Sequence, residues 1–183
     1  MKHISQALKQ RNKELNDITL ESITKALIIL MKYKSYNSIT ITDICIKAGV
    51  SRNAFYKNFG TKENVFRLIV KDFNKNIILR KLGNPFNKKA GLDWYVKFFY
   101  IVKEHAELFK LLMASDFTSV YLDYVNSILT PANIEDVETK YSRLIWNGAI
   151  QNVAVEWLRN GMKESPNQLA KYCYKRLDFN KNN

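Results

Sequence analysis

The chain is short of the residues on which disulfide and metal sites depend. Its 183 residues include only two cysteines and two histidines. Cys45 and Cys173 lie far apart without CxxC spacing, and each falls in a helix-like apolar pattern, so we expect two buried, reduced thiols. Neither histidine has a cysteine or a pair of carboxylates near it at ligand spacing. The sequence therefore predicts no disulfide, no metal site and no cofactor.

Long apolar runs are also missing. The longest candidate, ALIILM at 26–31, is flanked by lysines and is far shorter than the roughly 20 apolar residues of a membrane helix. The first 16 residues are polar and lack the apolar run of a signal peptide. Because 46% of the residues are hydrophobic, a core can still form. We expect a soluble, cytoplasmic protein with no membrane partner.

Signatures of catalysis are equally scarce. No nucleophile has a base at recognisable spacing, and no glycine-rich loop suits a phosphate. The sequence therefore predicts a protein that is not an enzyme. An interaction or adaptor protein remains an alternative to a nucleic-acid-binding one.

Positive charge is concentrated in one half of the chain. The formal net charge is +12, and residues 1–81 carry 16 Lys and Arg against 6 Asp and Glu, a net of +10. Residues 82–183 carry 13 against 11, a net of +2. This asymmetry favours an N-terminal module for a polyanion joined to a nearly neutral module. A solvated, lysine-rich surface is the plain alternative.

Apolar residues recur at steps of three and four, which predicts an almost entirely helical chain. A first helix of about four turns has Asp17 and Thr19 as possible caps. The next helix, over 41–48, ends at Gly49, and Ser51 opens another only two residues later. This spacing predicts helix, tight turn, helix.

The remaining helices follow from caps and breakers. Thr61 is expected to open a helix that runs to about Arg80. Glycine and proline in the segment 81–92 mark it as the best module boundary. Beyond it we expect three helices, a long helix over 134–161, and a last helix with Ser165 as its N-cap and a proline at its first position.

The short helix after Gly49 has the composition of a DNA-reading helix. In a helix-turn-helix, the second helix enters the major groove and presents polar and basic side chains there. Ala54, Phe55 and Phe59 are expected to form the hidden seam. Arg and Asn suit guanine and adenine edges, whereas Lys, Ser and Tyr suit phosphates.

The stretch ITITDICIKAGVSRNAFYKNFGTKENVFRLIV, residues 39–70, resembles the DNA-binding region of the TetR/AcrR family of bacterial transcriptional regulators. The resemblance lies in Thr-x-x-x-Ile before AGVS, in the Phe55–Tyr56 pair, in Phe59 and in the following TKE. It implies an all-α protein with a three-helix DNA-binding domain within residues 1–75. Residues 76–183 would then form a helical regulatory and dimerisation domain.

The resemblance also implies positions for DNA contacts, on the second helix, on the recognition helix and at the start of the fourth helix. They are Thr40, Thr42, Ser51, Arg52, Asn53, Tyr56, Lys57, Asn58 and Lys62. The sequence departs from the family pattern at Asn53–Ala54, where a small residue followed by Thr is common, and at Asn58, where Tyr or His is common. We expect the operator preference to depart there too.

The C-terminal part resembles the family's last two helices, which pair with those of a second subunit. The expected dimer residues are Gly148, Ala149, Val153, Trp157, Leu169 and Tyr172.

Aromatic residues of the same part are numerous enough to line an apolar site for a small-molecule effector, with packing in an ordinary helical core as the alternative. They are Trp94, Phe98, Phe99, Phe117, Tyr121, Tyr124 and Trp146. The sequence as a whole predicts a homodimeric, ligand-responsive regulator of a palindromic DNA operator, with repression as the commoner outcome in the family.

Overall fold

The structure, a computed structural model, describes residues 2–86, 91–113, 118–132 and 136–177. Every regular element in these ranges is a helix, as the periodicity predicts. The chain divides into two compact units, Met1–Ile69 and Val70–Asn183. No helix in the described ranges has the length and apolar character needed to cross a bilayer.

The first unit consists of three helices and most of a fourth, with a short 3-10 turn, Tyr36–Ser38, after the first. The helices are α1 (Lys2–Met31), α2 (Ile41–Ala48), α3 (Arg52–Asn58) and α4 (Lys62–Phe73). Ile23 and Leu27 of α1, Ile44 of α2, Phe55 of α3 and Val65 of α4 are fully buried. One apolar core thus holds α2 and α3 in place.

Helix α1 is much longer than the sequence predicts. It begins by Lys2, so Asp17 and Thr19 lie inside it and are not caps. The Thr19 hydroxyl donates to the Leu15 carbonyl oxygen at 2.8 Å, as is typical within a helix. Residues 6–18 are exposed. An exposed helix has no continuous apolar stripe, so the apolar periodicity of the sequence predicts only the buried C-terminal half of α1.

The second unit begins with a π-helical turn, Asn74–Leu79. Six helices follow, namely α5 (Arg80–Leu82), α6 (Leu92–Glu104), α7 (Ala106–Leu112), α8 (Thr118–Leu129), α9 (Val137–Arg159) and α10 (Pro166–Leu177). Helix α6 packs along α10. Its Phe99 meets Trp157 of α9 edge to face at 5.7 Å, and both are buried.

No loop separates the two units, since α4, the π-helical turn and α5 follow one another from residue 62 to 82. The division lies between Ile69 and Val70, inside α4 and six residues before the predicted boundary at 75. The glycine-containing segment 81–92 therefore lies within the second unit. Its composition breaks the helix but does not separate the two units.

Two further expectations are confirmed. Ser165 caps α10, because the Gln168 amide nitrogen donates to Ser165 Oγ and the Ser165 amide nitrogen donates to Gln168 Oε1. Cys45 and Cys173 are both free and buried. Burial raises the pKa of both thiols, that of Cys173 to about 11. The protonated thiol is the stable form of each.

Candidate nucleic-acid interface

Helix α2 is fixed at both ends. The Asp43 amide nitrogen donates to Thr40 Oγ1 at 3.1 Å, and the Thr40 amide nitrogen donates to Asp43 Oδ2 at 3.0 Å, which makes a capping box. Hydrogen bonds from the backbone and side chain of Thr40 lower the pKa of Asp43. Gly49 ends the helix with φ at +67°, a conformation that glycine adopts without strain.

Helix α3 begins after a three-residue connection, 49–51, and turns its apolar residues inward. Ser51 is its N-cap, and Ser51 Oγ accepts from the Ala54 amide nitrogen at 3.1 Å. Phe55 is fully buried and its ring lies 6.0 Å from that of Phe59. The predicted turn and hidden seam are confirmed, and they orient the rest of α3 towards solvent.

Four polar or basic side chains of α3 share the exposed face: Arg52, Asn53, Tyr56 and Lys57. Arg52 Nη2 lies 3.4 Å from the Tyr56 hydroxyl, and the guanidinium lies 5.9 Å from the centroid of the Tyr56 ring. These contacts are long, so they orient the guanidinium without enclosing it. Thr42 of α2 is exposed as well.

Asn58 differs from the other predicted contact residues. It is half-buried, and its Nδ2 donates to the Ala54 carbonyl oxygen of its own helix at 2.8 Å. The amide that the sequence assigns to DNA therefore already has an internal acceptor.

Lys62 is also engaged within the chain. Its Nζ donates at 3.0 Å to the carbonyl oxygens of Tyr36 and Ile39, and lies 3.5 Å from that of Asn37. The ammonium also lies 4.3 Å from the centroid of the Tyr36 ring. No pattern in the sequence predicts this role of Lys62, because the acceptors lie 23 to 26 residues away. A phosphate contact by Lys62 stays a prediction.

Comparison with protein families matches both units. The family described as bacterial regulatory proteins, tetR family, matches residues 23–69, which include α2, α3 and the connection between them. A second family, described as a transcriptional regulator C-terminal region, matches residues 92–178. The chain belongs to the TetR family. It is a transcriptional regulator with a helix-turn-helix DNA-binding domain.

Solved structures share the fold of this TetR-family chain. A TetR transcriptional regulator from Streptococcus agalactiae 2603V aligns with a TM-score of 0.68 at 18% identity, covering 93% of this chain and 99% of its own. The fatty acid degradation regulator FadR from Bacillus halodurans gives 0.59 at 15% identity, covering 89% and 96%. The dihydroxyacetone kinase operon activator DhaS gives 0.55 at 20%, covering 87% and 93%. No curated protein matches by sequence.

Four of the seven predicted effector residues surround one cavity in the second unit. Trp94, Phe98, Tyr121 and Trp146 line it, whereas Phe99 lies elsewhere in the core and Tyr124 is half-buried away from it. Phe117 lies outside the described residues. The sequence missed three buried amides of the cavity wall, which are Asn74, Asn147 and Gln151. The sequence carries no signal that separates Asn147 and Gln151, four residues apart, from ordinary polar positions of a helix.

The predicted dimer residues differ in exposure. Gly148 and Tyr172 are exposed, while Ala149, Val153 and Leu169 are half-buried. Val153 and Leu169 line a shallow surface groove, and the floor of this groove includes Trp157.

The groove does not make Trp157 a surface residue. Only 3% of it is exposed, and its indole nitrogen donates to the Glu164 carbonyl oxygen at 3.0 Å. Trp157 is therefore chiefly a core residue. Tyr141 and Ile145 of α9 are more exposed than Trp157 but are not among the predicted dimer residues.

Proposed function

We propose that this TetR-family regulator is a homodimer that represses transcription from a palindromic operator and is released by a small-molecule effector. Each subunit places α3 in one of two successive major grooves, about one helical turn apart. The observation that carries this proposal is the exposed face formed by Arg52, Asn53, Tyr56 and Lys57 on a helix whose apolar side is anchored.

The exposed face supplies both kinds of DNA contact. Arg52 suits the O6 and N7 atoms of guanine, and Asn53 suits adenine. Lys57 and Tyr56 suit phosphate oxygens, which position a protein without specifying sequence. The excess positive charge of residues 1–81 favours DNA in general.

An exposed apolar face of α9 supports dimerisation. Val137, Tyr141 and Ile145 are more than half exposed, and with Gly148 they recur at helical steps of four, four and three. A glycine inside a helix costs about 1 kcal/mol relative to alanine. A Cβ on Gly148 would meet none of the other described residues of its own subunit within 4 Å. Close approach of a second helix would explain the glycine.

The effector acts through the dimer. A molecule that binds one dimer geometry better than another shifts the population of the two and so changes DNA affinity. The aromatic cavity of the second unit supports this role, because ligand sites are concave and mostly apolar with a few polar groups.

Selection of bound DNA from a random library by the full chain tests the proposal. We expect enrichment of an inverted repeat whose half-sites lie about 10 base pairs apart. Affinity for the enriched site should fall steeply with salt, because each phosphate contact releases counterions. Failure to enrich any inverted repeat would contradict the proposed function.

A further inference from the structure

The cavity of the second unit has a wall that is apolar except for buried amides. Its volume is about 40 Å³, and it lies among the π-helical turn, α6, α8 and α9. Asn74, Asn147 and Gln151 line it with exposures of 3%, 1% and 7%. They are the buried polar residues among those the structure describes. Three uncharged amide side chains therefore line the same cavity.

The amides are only partly satisfied by one another. Asn147 Nδ2 donates to Asn126 Oδ1 at 2.8 Å, but Gln151 Nε2 lies 3.5 Å from Asn147 Oδ1. The Tyr121 hydroxyl lies 3.5 Å from Asn74 Oδ1. The Gln151 side chain also interacts with the Tyr121 hydroxyl, which opposes the rise in pKa that burial causes at Tyr121, but Gln151 Oε1 is buried and has no hydrogen-bond partner among the residues that the structure describes. A buried acceptor without a partner is costly, so a ligand that donates to it has a binding advantage.

Aromatic rings form the adjacent wall. Trp94 and Phe98 are stacked, with centroids 5.4 Å apart and planes 9° from parallel. Trp146 meets Trp94 at 5.3 Å, and its indole nitrogen donates to the Tyr95 hydroxyl at 2.8 Å. These rings make the part of the wall beside the amides aromatic and apolar.

Charge is absent from the cavity wall. None of its described lining residues is acidic or basic. Because transfer of an unpaired ion into such a site is strongly unfavourable, an anionic or cationic ligand is disfavoured.

We propose that this cavity binds a compact, uncharged, single-ring molecule that donates a hydrogen bond to Gln151 Oε1. The inference rests on the proposed effector role and specifies the chemistry of the effector. A cavity of about 40 Å³ has room for only a few water molecules, whereas a cavity of about 150 Å³ accepts benzene. Ligand binding therefore selects a wider arrangement of the same walls.

Asn74 gives such a ligand a route to the DNA-binding unit. It is the first residue of the π-helical turn, and its Nδ2 donates to the Val70 carbonyl oxygen at 2.9 Å. Isolated π-helical turns are frequent at functional sites. The helix before it, α4, starts at Lys62 in the first unit. A ligand that draws Asn74 away from Val70 alters a helix to which both units contribute.

Four single-ring probes test the inference on the full chain: phenol, toluene, benzamide and benzoate. Binding is followed by tryptophan fluorescence, since Trp94 and Trp146 line the cavity, and by the midpoint of thermal unfolding. We expect phenol to bind about 3–10-fold more tightly than toluene, the effect of one hydrogen bond. Benzamide should bind, whereas benzoate, its charged counterpart, should not.

Gln151→Met removes the acceptor and keeps most of the side-chain volume. The variant should bind phenol and toluene with equal affinity. Gln6→Met, at an exposed position of α1, is the matched control and should keep the wild-type preference. The phenol and toluene comparison in the wild type tests the inference without any substitution.

Equal binding of phenol and toluene by the wild type, binding of benzoate as tight as that of benzamide, or an unchanged preference in Gln151→Met would each overturn the inference. DNA selection separates it from the proposed function. If an inverted repeat is enriched and no probe binds, this inference fails and the proposed function stands. If the probes bind with the expected preference and no DNA is enriched, the proposed function fails.

Discussion

Lys62 Nζ lies 3.0 Å from the carbonyl oxygens of both Tyr36 and Ile39. Tyr36 opens the 3-10 turn after α1, and Ile39 immediately precedes Thr40, the N-cap of α2. One ammonium at the start of α4 therefore donates to backbone acceptors at both ends of this turn, and the Tyr36 carbonyl oxygen accepts from the Ile39 amide nitrogen as well, at 3.0 Å. The Tyr36 hydroxyl in turn donates to Glu63 at 3.2 Å, so two consecutive residues of α4 hold the same turn.

Lys62→Met should lower the free energy of unfolding by about 1–2 kcal/mol, because it removes charge-assisted hydrogen bonds to partly buried carbonyl groups. It should leave the salt dependence of DNA binding unchanged, since the donors of Lys62 are already engaged. Thermal unfolding and titrations at several salt concentrations measure the two effects. Lys71→Met, exposed on the same helix, controls for the lost charge. A salt slope reduced by about one would instead establish the phosphate contact.

Arg52→Ala should weaken binding to the selected operator by about 1–3 kcal/mol and relax specificity at one base pair, because a bidentate contact to guanine is lost. Binding to random DNA should change much less. Competition titrations with operator variants measure both quantities. Arg159→Ala, which removes an exposed arginine from the second unit, should match the wild type. Wild-type specificity in Arg52→Ala would remove Arg52 from the base-reading set.

Asn53→Ala and Asn58→Ala should have different consequences, although the sequence treats both as departures from the family pattern. Asn53 is exposed, whereas Asn58 Nδ2 donates to the Ala54 carbonyl oxygen. We expect Asn53→Ala to change which operators are selected and Asn58→Ala to leave the selected sequence unchanged. Repeating the DNA selection with each variant provides the measurement. A new preference in Asn58→Ala would show that its amide leaves the helix to reach DNA.

The capping box of α2 should make the first unit acid-sensitive. Hydrogen bonds from Thr40 lower the pKa of Asp43 in the folded chain. A carboxyl group with a lowered pKa stabilises the fold fully above its unfolded pKa of about 3.9, and this stabilisation is lost as the pH falls through the folded value. The midpoint of thermal unfolding of the wild type should therefore be higher than that of Asp43→Asn at pH 7. The difference between the two midpoints should shrink below about pH 4.

Circular dichroism melts between pH 7 and pH 2.5 measure that difference. Asp17→Asn, at an exposed position of α1, controls for the removal of one carboxylate. A difference between wild type and Asp43→Asn that stays constant over this range would contradict the prediction.

Ile145→Glu should convert the proposed dimer to monomers without changing the helical content, because it places a charge in an apolar contact between two copies of α9. Sedimentation velocity gives the mass, and DNA titration should show weaker operator binding. Tyr100→Glu is the matched control, since Tyr100 is half exposed on α6. If the wild type sediments as a monomer, the proposed role of the α9 face is wrong.

The parts of the fold that the sequence predicts well are those held by local hydrogen bonds. Ser51 Oγ accepts from the Ala54 amide nitrogen, three residues away, so composition and spacing locate this cap directly. For α2 they leave Thr40 and Thr42 as alternative N-caps, and the capping box with Asp43 selects Thr40. Gly49 adds a backbone requirement that few other residues meet. The helix-turn-helix and its exposed face follow from these short-range rules.

Contacts between residues far apart in the sequence were not predicted, because no short-range pattern specifies them. Nothing near Lys62 in the sequence indicates acceptors at Tyr36 and Ile39. Helix α1 was predicted too short because its exposed half has no apolar face to bury. The amides Asn147 and Gln151 appear as ordinary polar positions until packing surrounds them with aromatic rings. Such features depend on which helices meet, and a single sequence does not specify that.

The uninterrupted course of α4, the π-helical turn and α5 limits how this protein can be recombined with its relatives. A chimera that joins another member's DNA-binding unit to this C-terminal unit must be spliced inside a helix. Each residue added to this helix before Asn74 lengthens the helix by about 1.5 Å and shifts the helical phase of the residues that follow by about 100°. An insertion of about seven residues, close to two full turns, returns the helical phase of the residues that follow to within about 20° of its original value. Functional chimeras are therefore expected when the number of inserted residues is close to a whole number of helical turns.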